Sequence, residues 1–350
     1  MNNEVEPETA VRYEILTEIE NVRLIVSEWD YLLATSRCNL AFNCSKWYLA
    51  RIELLPTIQP LVFTAYRDQV LAGVLPLWLE PGRRLATFGD DYRDYFDIIA
   101  ADEDREVITG LLKLALQGAW NYDRLDLGLV KRDSNLVKGA EALGLAETVD
   151  GFFVPGRSIA YAVLDLSCGY NEYRKRLSRN FRRSLNFAHN RARRDGLIVR
   201  ELTPADLDPE LLPDTFLSLH LSRFGDRSDF RSSESWVRKL FPSLFAEQRM
   251  RVFAILNKGQ IVGIDLQMIT KSGMYSYNTG FLPEMRQYAP GKLMIHQAIE
   301  QSCLEGMTEY DLGYWEPGYK LDWQPIKREV GDLQFATGLN SINHLDLAVL

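Results

Sequence analysis

The stretch V-F-T-A-Y-R-D-Q-V-L-A-G-V-L-P-L, residues 62–77, has a gap-free echo in V-F-A-I-L-N-K-G-Q-I-V-G-I-D-L-Q, residues 252–267. Three identities lie 190 residues apart: Val62 with Val252, Phe63 with Phe253 and Gly73 with Gly263. Each stretch consists of two apolar runs around a polar turn, a pattern typical of a β-hairpin. The echo indicates that the chain contains one structural unit twice; two unrelated hairpins are the alternative.

Weaker echoes flank the hairpins in the same order. Upstream, four aromatic residues match loosely: Phe42 and Trp47 in the first copy, Phe230 and Trp236 in the second. Downstream, a helical stretch leads into Y-D-R-L-D-L-G, residues 122–128, and another into E-Y-D-L-G, residues 309–313. Each copy thus predicts helix, strand, turn, strand, loop, helix and strand, which is a mixed α/β fold with helices packed on a sheet.

The composition is that of a globular protein, with 46% hydrophobic and 25% charged residues in 350. Pro155 and Gly156 punctuate the pattern, so we expect two domains, residues 1–157 and 158–350. A formal net charge of -8 argues against a protein that coats nucleic acid with its whole surface. The scattered cysteines and histidines predict no metal site, and the sequence shows no signal-peptide or membrane-span pattern, so we expect a cytoplasmic protein.

The two copies differ where the repeated helix begins. In the first copy, A-D-E-D-R-E, residues 101–106, places acids that complement the helix dipole and repel an anion. In the second, Y-A-P-G-K-L, residues 288–293, offers backbone amides that a ligand can approach closely, together with the cation of Lys292. This arrangement suits a phosphate or pyrophosphate, and a turn that only opens a helix with proline is the alternative.

Arginines are concentrated in S-R-N-F-R-R-S-L-N-F-A-H-N-R-A-R-R-D-G, residues 178–196. At 100° per residue, one apolar stripe forms: Tyr173, Leu177, Phe181, Leu185, Ala188 and Ala192. This predicts a single amphipathic helix that ends at Gly196 and presents a basic face. Few acids lie near, so we expect Arg179, Arg182 and Arg183 to hold a polyanion: a phosphate-rich cofactor, a tRNA or a membrane surface. A solvated face with snorkelling side chains is the alternative.

The run A-Y-A-V-L-D-L-S-C-G-Y-N-E-Y-R-K-R-L-S-R-N-F-R-R-S-L-N, residues 160–186, resembles the start of the acetyltransferase domain of CelD-type proteins. These belong to the GNAT superfamily and are related to the FemAB aminoacyltransferases. The resemblance continues through L-H-L-S-R-F, residues 219–224, Y-N-T-G-F, residues 277–281, and E-Y-D-L-G-Y-W-E-P-G-Y-K, residues 309–320. It implies two tandem GNAT-like domains, each a mixed, largely antiparallel sheet flanked by helices. The first domain would be degenerate and read the substrate.

The resemblance implies transfer of an acyl group, usually acetyl, from acyl-CoA to an amine without a covalent enzyme intermediate or a metal. Five residues would bind the cofactor: Arg286, Pro290, Gly291, Lys292 and Leu293. The family's pyrophosphate loop usually contains several glycines, whereas R-Q-Y-A-P-G-K, residues 286–292, has one, which puts the donor in question. Asp311, Tyr319 and Lys320 fall on family positions near a strand end, as substrate ligands or as an internal ion pair.

Three residues are candidates for proton transfer. Asp265 interrupts an apolar strand and shares a strand face with Gln267, so it is either a base facing a cleft or a carboxyl satisfied by its neighbours. Tyr277 either protonates the leaving thiolate or only packs. His220 is a base, a substrate ligand or a structural histidine.

The acceptor is predicted from F-G-D-D-Y-R-D-Y-F-D, residues 88–97, where Asp91 and Asp94 lie among aromatic residues. Such a loop suits a sugar or an ammonium group, and an ordinary polar connection is the alternative. An amino sugar would make the product a polysaccharide or cell-envelope precursor. Two other functions stay open: a FemAB-like transferase that uses aminoacyl-tRNA, and a binding module that lays the arginine helix on nucleic acid or anionic lipid.

Overall fold

The structure, a computed structural model, describes residues 10–36, 41–87, 95–101, 104–117, 122–154, 158–270, 272–315 and 318–336. Its contacts divide the chain into two units. The first contains the described residues up to Ile159 and those from Glu329 onward, and the second is Ala160–Arg328. This division falls two residues from the boundary expected after residue 157, but the return of the chain to the first unit at Glu329 was not expected from the sequence.

The first part of the chain forms twelve described α-helices and β-strands. In chain order these described elements are β1 (Arg12–Leu16), α1 (Ile19–Leu24), α2 (Val26–Thr35), α3 (Ser45–Leu54), β2 (Gln59–Arg67), β3 (Val70–Glu80), β4 (Arg84–Ala86), β5 (Ile99–Ala100), α4 (Arg105–Leu116), then β6 (Arg124–Lys131), α5 (Asn135–Ala142) and α6 (Ala146–Phe152).

The rest of the chain supplies the second unit and one further strand. In order these elements are β7 (Ile159–Asp165), α7 (Tyr170–Arg176), α8 (Arg179–Arg194), β8 (Leu197–Leu202), α9 (Leu212–Phe224), α10 (Glu234–Ala246), β9 (Met250–Asn257), β10 (Gln260–Ile269), β11 (Gly273–Phe281), α11 (Pro290–Leu304), β12 (Glu309–Tyr314) and β13 (Ile326–Ala336).

Each unit contains a mixed sheet in which antiparallel pairs predominate. In the first unit the strand order is β1-β2-β3-β4-β6-β13, with β5 beside β3 and a parallel pair at β4 and β6. In the second the order is β7-β12-β11-β10-β9-β8, with a parallel pair at β11 and β12. The predicted mixed α/β class, with largely antiparallel sheets flanked by helices, is confirmed.

The two hairpins share details of register as well as sequence. Both turns have two central residues with positive φ, as a type I′ turn requires: Asp68 and Gln69 in the first, Lys258 and Gly259 in the second. A register shift follows at the same place in both hairpins, where Gly73 pairs with Ala65 and Gly263 with Ile255. The predicted repeat therefore extends to an equivalent β-bulge in each unit.

The single helix predicted through the arginine-rich segment is wrong, because the structure contains two helices. Helix α7 ends at Arg176 and α8 begins at Arg179. Ser178 separates them as an N-cap, since its hydroxyl accepts a hydrogen bond from the Phe181 amide at 3.1 Å. The predicted apolar stripe is confirmed, with all six side chains buried: Tyr173, Leu177, Phe181, Leu185, Ala188 and Ala192. Among the described helices, none is long and apolar enough to cross a membrane.

Candidate active site

Strands β11 and β12 separate after a short parallel contact. Their pairing covers three positions, Gly273–Tyr275 against Glu309–Asp311. Beyond it, β11 continues to Phe281 with β10 as its partner, and residues 276–279 are half-buried. We call the place where β11 leaves β12 the strand opening. It exposes a strand edge to which other polar groups can bind.

Helix α9 supplies side chains to this edge. The carbonyl oxygen of Thr279 lies 3.1 Å from His220 Nδ1 and accepts a hydrogen bond from Arg223 Nη1 at 3.4 Å. Gly280 allows the helix to approach so closely, because a Cβ there would lie 2.4 Å from the backbone nitrogen of His220. Sequence analysis placed His220 in the site but missed Arg223, although residues three apart share a helix face.

His220 is buried among three aromatic rings of Phe216, Phe224 and Phe230, with centroid separations of 5.2, 4.6 and 5.0 Å. Its contact with a carbonyl requires Nδ1 to carry the proton, which leaves the lone pair of the neutral ring on Nε2. These contacts fit a positioned histidine. Tyr277 also packs among aromatic rings, at 6.3 Å from Phe230 and 6.0 Å from Phe241.

Asp265 lies in β10 directly opposite Thr279 and is 1% exposed. Burial raises the pKa of Asp265 to about 7, although hydrogen bonds from Gln267 and Thr279 and the charge of Arg223 oppose the rise. Gln267 Nε2 donates to Asp265 Oδ2 at 2.5 Å. A carboxyl group with this pKa exchanges its proton near neutral pH, which is the property a general base requires.

Two buried polar atoms beside Asp265 were not predicted from the sequence. Gln267 Oε1 and the hydroxyl of Tyr310 are buried next to each other and to Ser276, but neither atom completes a hydrogen bond of good geometry among the described residues. Burial also raises the pKa of Tyr310, and the charge of Asp265 raises it further. Buried polar groups with incomplete hydrogen bonds cost stability, so this part of the second unit is not optimised for packing alone. The alternation of Asp265 and Gln267 along β10 was the available sequence signal.

The predicted cofactor loop and the arginine helix lie together. Lys292 Nζ donates to Ser184 Oγ at 2.9 Å and lies 4.8 Å from the ring centroid of Phe181, both in α8. Arg191, also in α8, donates to the carbonyl of Gln287 at 3.0 Å. Helix α8 therefore packs on the first turn of α11 and on the segment before it.

The start of α11 is open to an anion. Ala289 has a left-handed conformation, φ 53°, and Pro290 is the first helical residue. Gly291 and Lys292 follow with amides that a first turn leaves unpaired, and the turn contains no acid. A Cβ at Gly291 would meet no atom within 4 Å, so a ligand can approach the backbone. Leu293 is buried and anchors the turn.

The equivalent helix start in the first unit is closed by the protein's own carboxylate. Asp104 accepts a hydrogen bond from the Val107 amide at 3.2 Å and forms an ion pair with Arg67 at 3.0 Å. The sequence predicted this contrast from the acids at residues 101–106, of which Asp102 and Glu103 lie outside the described residues. In the described chain, the open helix start and the strand opening both belong to the second unit.

The arginines of α7 and α8 differ in their partners. Arg176, at the end of α7, pairs with Asp165, and Arg194, at the end of α8, pairs with Asp195. Arg179, Arg182 and Arg183 make no ion pair with any residue that the structure describes. The three arginines predicted to hold a polyanion are therefore among those whose positive charge is not paired with a described acid.

The remaining predicted ligands do not all lie at the strand opening. Asp311 is buried and accepts a hydrogen bond from the Gly313 amide at 2.8 Å, which stabilises the end of β12. Lys320 donates to the carbonyl of Tyr314 at 2.7 Å, and Tyr319 is 56% exposed. Asp91 and Asp94 lie outside the described residues, so the predicted acceptor loop stays a prediction.

Most of the second unit matches a known family of protein domains. Residues 179–321 match the family model described as an acetyltransferase (GNAT) domain. A search of curated protein sequences finds no match to the chain.

Three solved structures resemble the chain along nearly its whole length. The crystal structure of FemX has a TM-score of 0.63 at 14% identity and covers 95% of this chain and 99% of its own. The C-terminal domain of a putative lysylphosphatidylglycerol synthetase from Agrobacterium fabrum has a TM-score of 0.55 at 11% identity, covering 91% and 93%. L-PGS from Bacillus licheniformis has 0.53 at 13%, covering 93% and 94%. The chain therefore shares its fold with these three structures along nearly its whole length, and its residues 179–321 resemble a GNAT acetyltransferase domain.

Proposed function

We propose that the second unit is an N-acyltransferase that takes an acyl group, acetyl in the first instance, from acyl-CoA. One observation carries the proposal: the second unit combines an open, acid-free helix start with a strand opening beside a carboxyl group whose pKa is about 7. The helix start suits the pyrophosphate of the donor, and Asp265 suits the proton of an amine.

The donor is held by the start of α11. The amides of Gly291 and Lys292 bind phosphate oxygens, and the Lys292 ammonium, which Ser184 holds at 2.9 Å, adds a positive charge. Arg286, which the resemblance assigns to the cofactor, is exposed in the short 3-10 helix before α11 and is not among these donor-binding groups. CoA would supply the activated thioester.

Proton transfer frees the acceptor's nitrogen for attack. Asp265 takes one proton from the ammonium group, and the neutral nitrogen attacks the thioester carbonyl carbon. The new C–N bond forms as the C–S bond breaks. Tyr277 protonates the leaving thiolate, and the second nitrogen proton then restores Tyr277. Each step requires the amine and the thioester to be held together at the strand opening.

The acceptor is an amine. The resemblance to CelD-type proteins suggests an amino sugar, with Asp311, Tyr319 and Lys320 as nearby candidate ligands, and an amino acid is the alternative class. With an amino sugar, the product would be a polysaccharide or cell-envelope precursor. We place the reaction in the cytoplasm, since the described cysteines Cys44, Cys168 and Cys303 are free thiols.

The proposal is tested by amine-dependent release of free thiol from acetyl-CoA, with glucosamine and L-alanine as acceptors. We expect Asp265→Asn to lower the rate about 100-fold or more, because the amide cannot accept the proton. Gln248→Asn, a change in a surface turn of the same unit, is the control and leaves the rate unchanged. Unaltered turnover in Asp265→Asn would remove Asp265 from the mechanism.

A second candidate donor is aminoacyl-tRNA, and the uncompensated charges of Arg179, Arg182 and Arg183 favour it. The 16 residues of α8 span about 24 Å at about 1.5 Å per residue, a length that suits several phosphates of a strand. Under this alternative, RNA binding weakens steeply with salt and falls in Arg182→Glu, and acetyl-CoA releases no thiol. Binding that is insensitive to both changes would exclude the tRNA donor.

A further inference from the structure

Arg223 is a half-buried cation that has no acid partner among the described residues. Its guanidinium donates to the Thr279 carbonyl and lies over the rings of Phe224 and Phe281, at 4.3 and 4.7 Å from their centroids. Three other half-buried arginines are compensated by two carboxylates each: Arg67 by Asp104 and Glu106, Arg84 by Glu80 and Asp126, Arg251 by Glu201 and Glu305. Arg223 differs from these three, because no described carboxylate forms an ion pair with it.

A second guanidinium, that of Arg286, belongs to the segment that follows Phe281, over whose ring Arg223 lies. Burial lowers the pKa of Arg223, and the charge of Arg286 lowers it further, while Tyr319 and Asp265 act in the opposite direction. Arg286 is exposed and also makes no ion pair within the described chain. Asp265 does not compensate the two cations fully, since its own carboxyl group is protonated for much of the time near pH 7. Two neighbouring guanidinium groups whose positive charge is not fully compensated form a site for an anion.

The position of this site defines the ligand. Arg223 is anchored on Thr279, the residue directly opposite Asp265 in the sheet. Directly opposite residues have Cβ atoms about 5 Å apart, so an anion at Arg223 lies within a few bonds of an amine at Asp265. The donor's phosphates have a different set of groups, at Lys292 and the start of α11.

We propose that Arg223 and Arg286 bind a carboxylate of the acceptor, so that the acceptor is an amino acid or an amino acid-like molecule with its amine close to a carboxylate. This inference rests on the proposed N-acyltransferase function and specifies its substrate class. The planar guanidinium fork of Arg223 matches the two oxygens of a carboxylate, and the amine then faces Asp265.

The test uses the full-length protein with saturating CoA, which fills the phosphate site first. L-Alanine and L-alaninamide are then compared as probes, because both have an α-amine and only alanine has a carboxylate. We expect alanine to raise the melting temperature further and alaninamide to raise it much less. Arg223→Gln loses this second shift and keeps the shift due to CoA. In the transfer assay, the preference for alanine over alaninamide falls about tenfold or more.

Two other variants complete the design. Arg286→Gln changes an exposed side chain and tests the site without the risk to folding that a half-buried residue carries. Arg238→Gln removes a surface arginine that pairs with Asp214 and Glu234, and serves as the matched control with both shifts intact.

Several results overturn the assignment. Equal responses of the wild type to alanine and alaninamide remove the carboxylate requirement. If Arg223→Gln loses the melting-temperature shift caused by CoA and keeps the shift caused by alanine, then Arg223 binds the donor's phosphates and not the acceptor's carboxylate. If CoA gives no shift while alanine still does, the acyl-CoA function fails and the carboxylate site stands. If CoA gives a shift while alanine gives none, the acyl-CoA function stands and the carboxylate site is removed.

Discussion

Asp265 shows how its surroundings alter a single carboxyl group. Its position in a mostly apolar strand was visible in the sequence, which left open whether it faced a cleft or was satisfied by neighbours. The structure shows a hydrogen bond from Gln267, together with a pKa raised by burial to about 7. The proximity of Arg223 could not be predicted, because it depends on how α9 packs on β11.

The first prediction concerns the pH dependence of transfer. Only the ionised carboxylate accepts a proton, so the rate is expected to rise with pH and level off above about 7, the pKa that burial gives Asp265. A pH profile of kcat/KM with acetyl-CoA measures this limb. Asp265→Glu keeps a titrating limb and Asp265→Asn loses it. If kcat/KM of Asp265→Asn still rises with pH in the same range, a group other than Asp265 is responsible for the titration.

The second prediction concerns stability. The native pKa of Asp265, about 7, is above the value of 3.8 expected in the unfolded chain, so this group's contribution is fully present below about pH 4 and is lost as pH rises to about 7. Asp265→Asn removes the dependence. Relative to the wild type, its free energy of unfolding is expected to increase by about 4 kcal/mol across that range.

Denaturant unfolding at several pH values measures this difference. Asp97, buried in the first unit with a pKa also raised to about 7, is present in both proteins, so its contribution cancels. A stability difference that does not change with pH would mean that the carboxyl of Asp265 is not in a desolvated environment.

At the scale of elements, the apolar period of the arginine-rich segment correctly predicted which side of α7 and α8 is buried. It could not show the break at Ser178, because a count of 100° per residue places Tyr173 and Phe181 on one arc with or without an interruption. The N-cap was the missing signal: S-R-N-F places a serine hydroxyl three residues before the amide that it binds.

The third prediction follows from this cap. Ser178→Ala removes the acceptor for the Phe181 amide and is expected to destabilise the protein by about 0.5–2 kcal/mol in chemical denaturation. Ser178→Asp retains an acceptor at the helix start and serves as the control. If both variants are equally destabilised, the hydroxyl does not act as a cap.

The fourth prediction concerns Gly280, which brings α9 against β11. An added methyl group would lie 2.4 Å from the His220 backbone nitrogen, so Gly280→Ala is expected to shift α9 and cost about 1–3 kcal/mol. The same shift moves His220 and Arg223 away from Thr279 and lowers transfer. In Gly263→Ala the nearest atom is 3.4 Å away, in Phe281, which makes it the control in the neighbouring strand. Similar stability and activity in both variants would contradict the close approach of α9.

At the scale of the molecule, the repeat in the sequence predicted the paired units, and the structure extends the likeness to a shared bulge. The acids at the first helix start and the Pro-Gly-Lys turn at the second predicted which unit has the open, acid-free helix start. The return of the chain to the first unit at Glu329 was not predicted, since β13 has no counterpart in the repeated pattern. Tyr310 was missed because its place beside Asp265 and Gln267 arises only from tertiary packing.

The central claim, that the start of α11 binds the donor's phosphates, is tested most directly by the melting temperature of the protein with and without CoA. We expect CoA to stabilise the wild type by about 2.7 kcal/mol at 100 times its dissociation constant. Gly291→Asp is expected to abolish the shift, because its carboxylate occupies the open space at the helix start, and Gly291→Asn, similar in size but neutral, is expected to retain part of it. A wild-type protein that does not respond to CoA, or a Gly291→Asp variant that responds as the wild type does, would contradict the account.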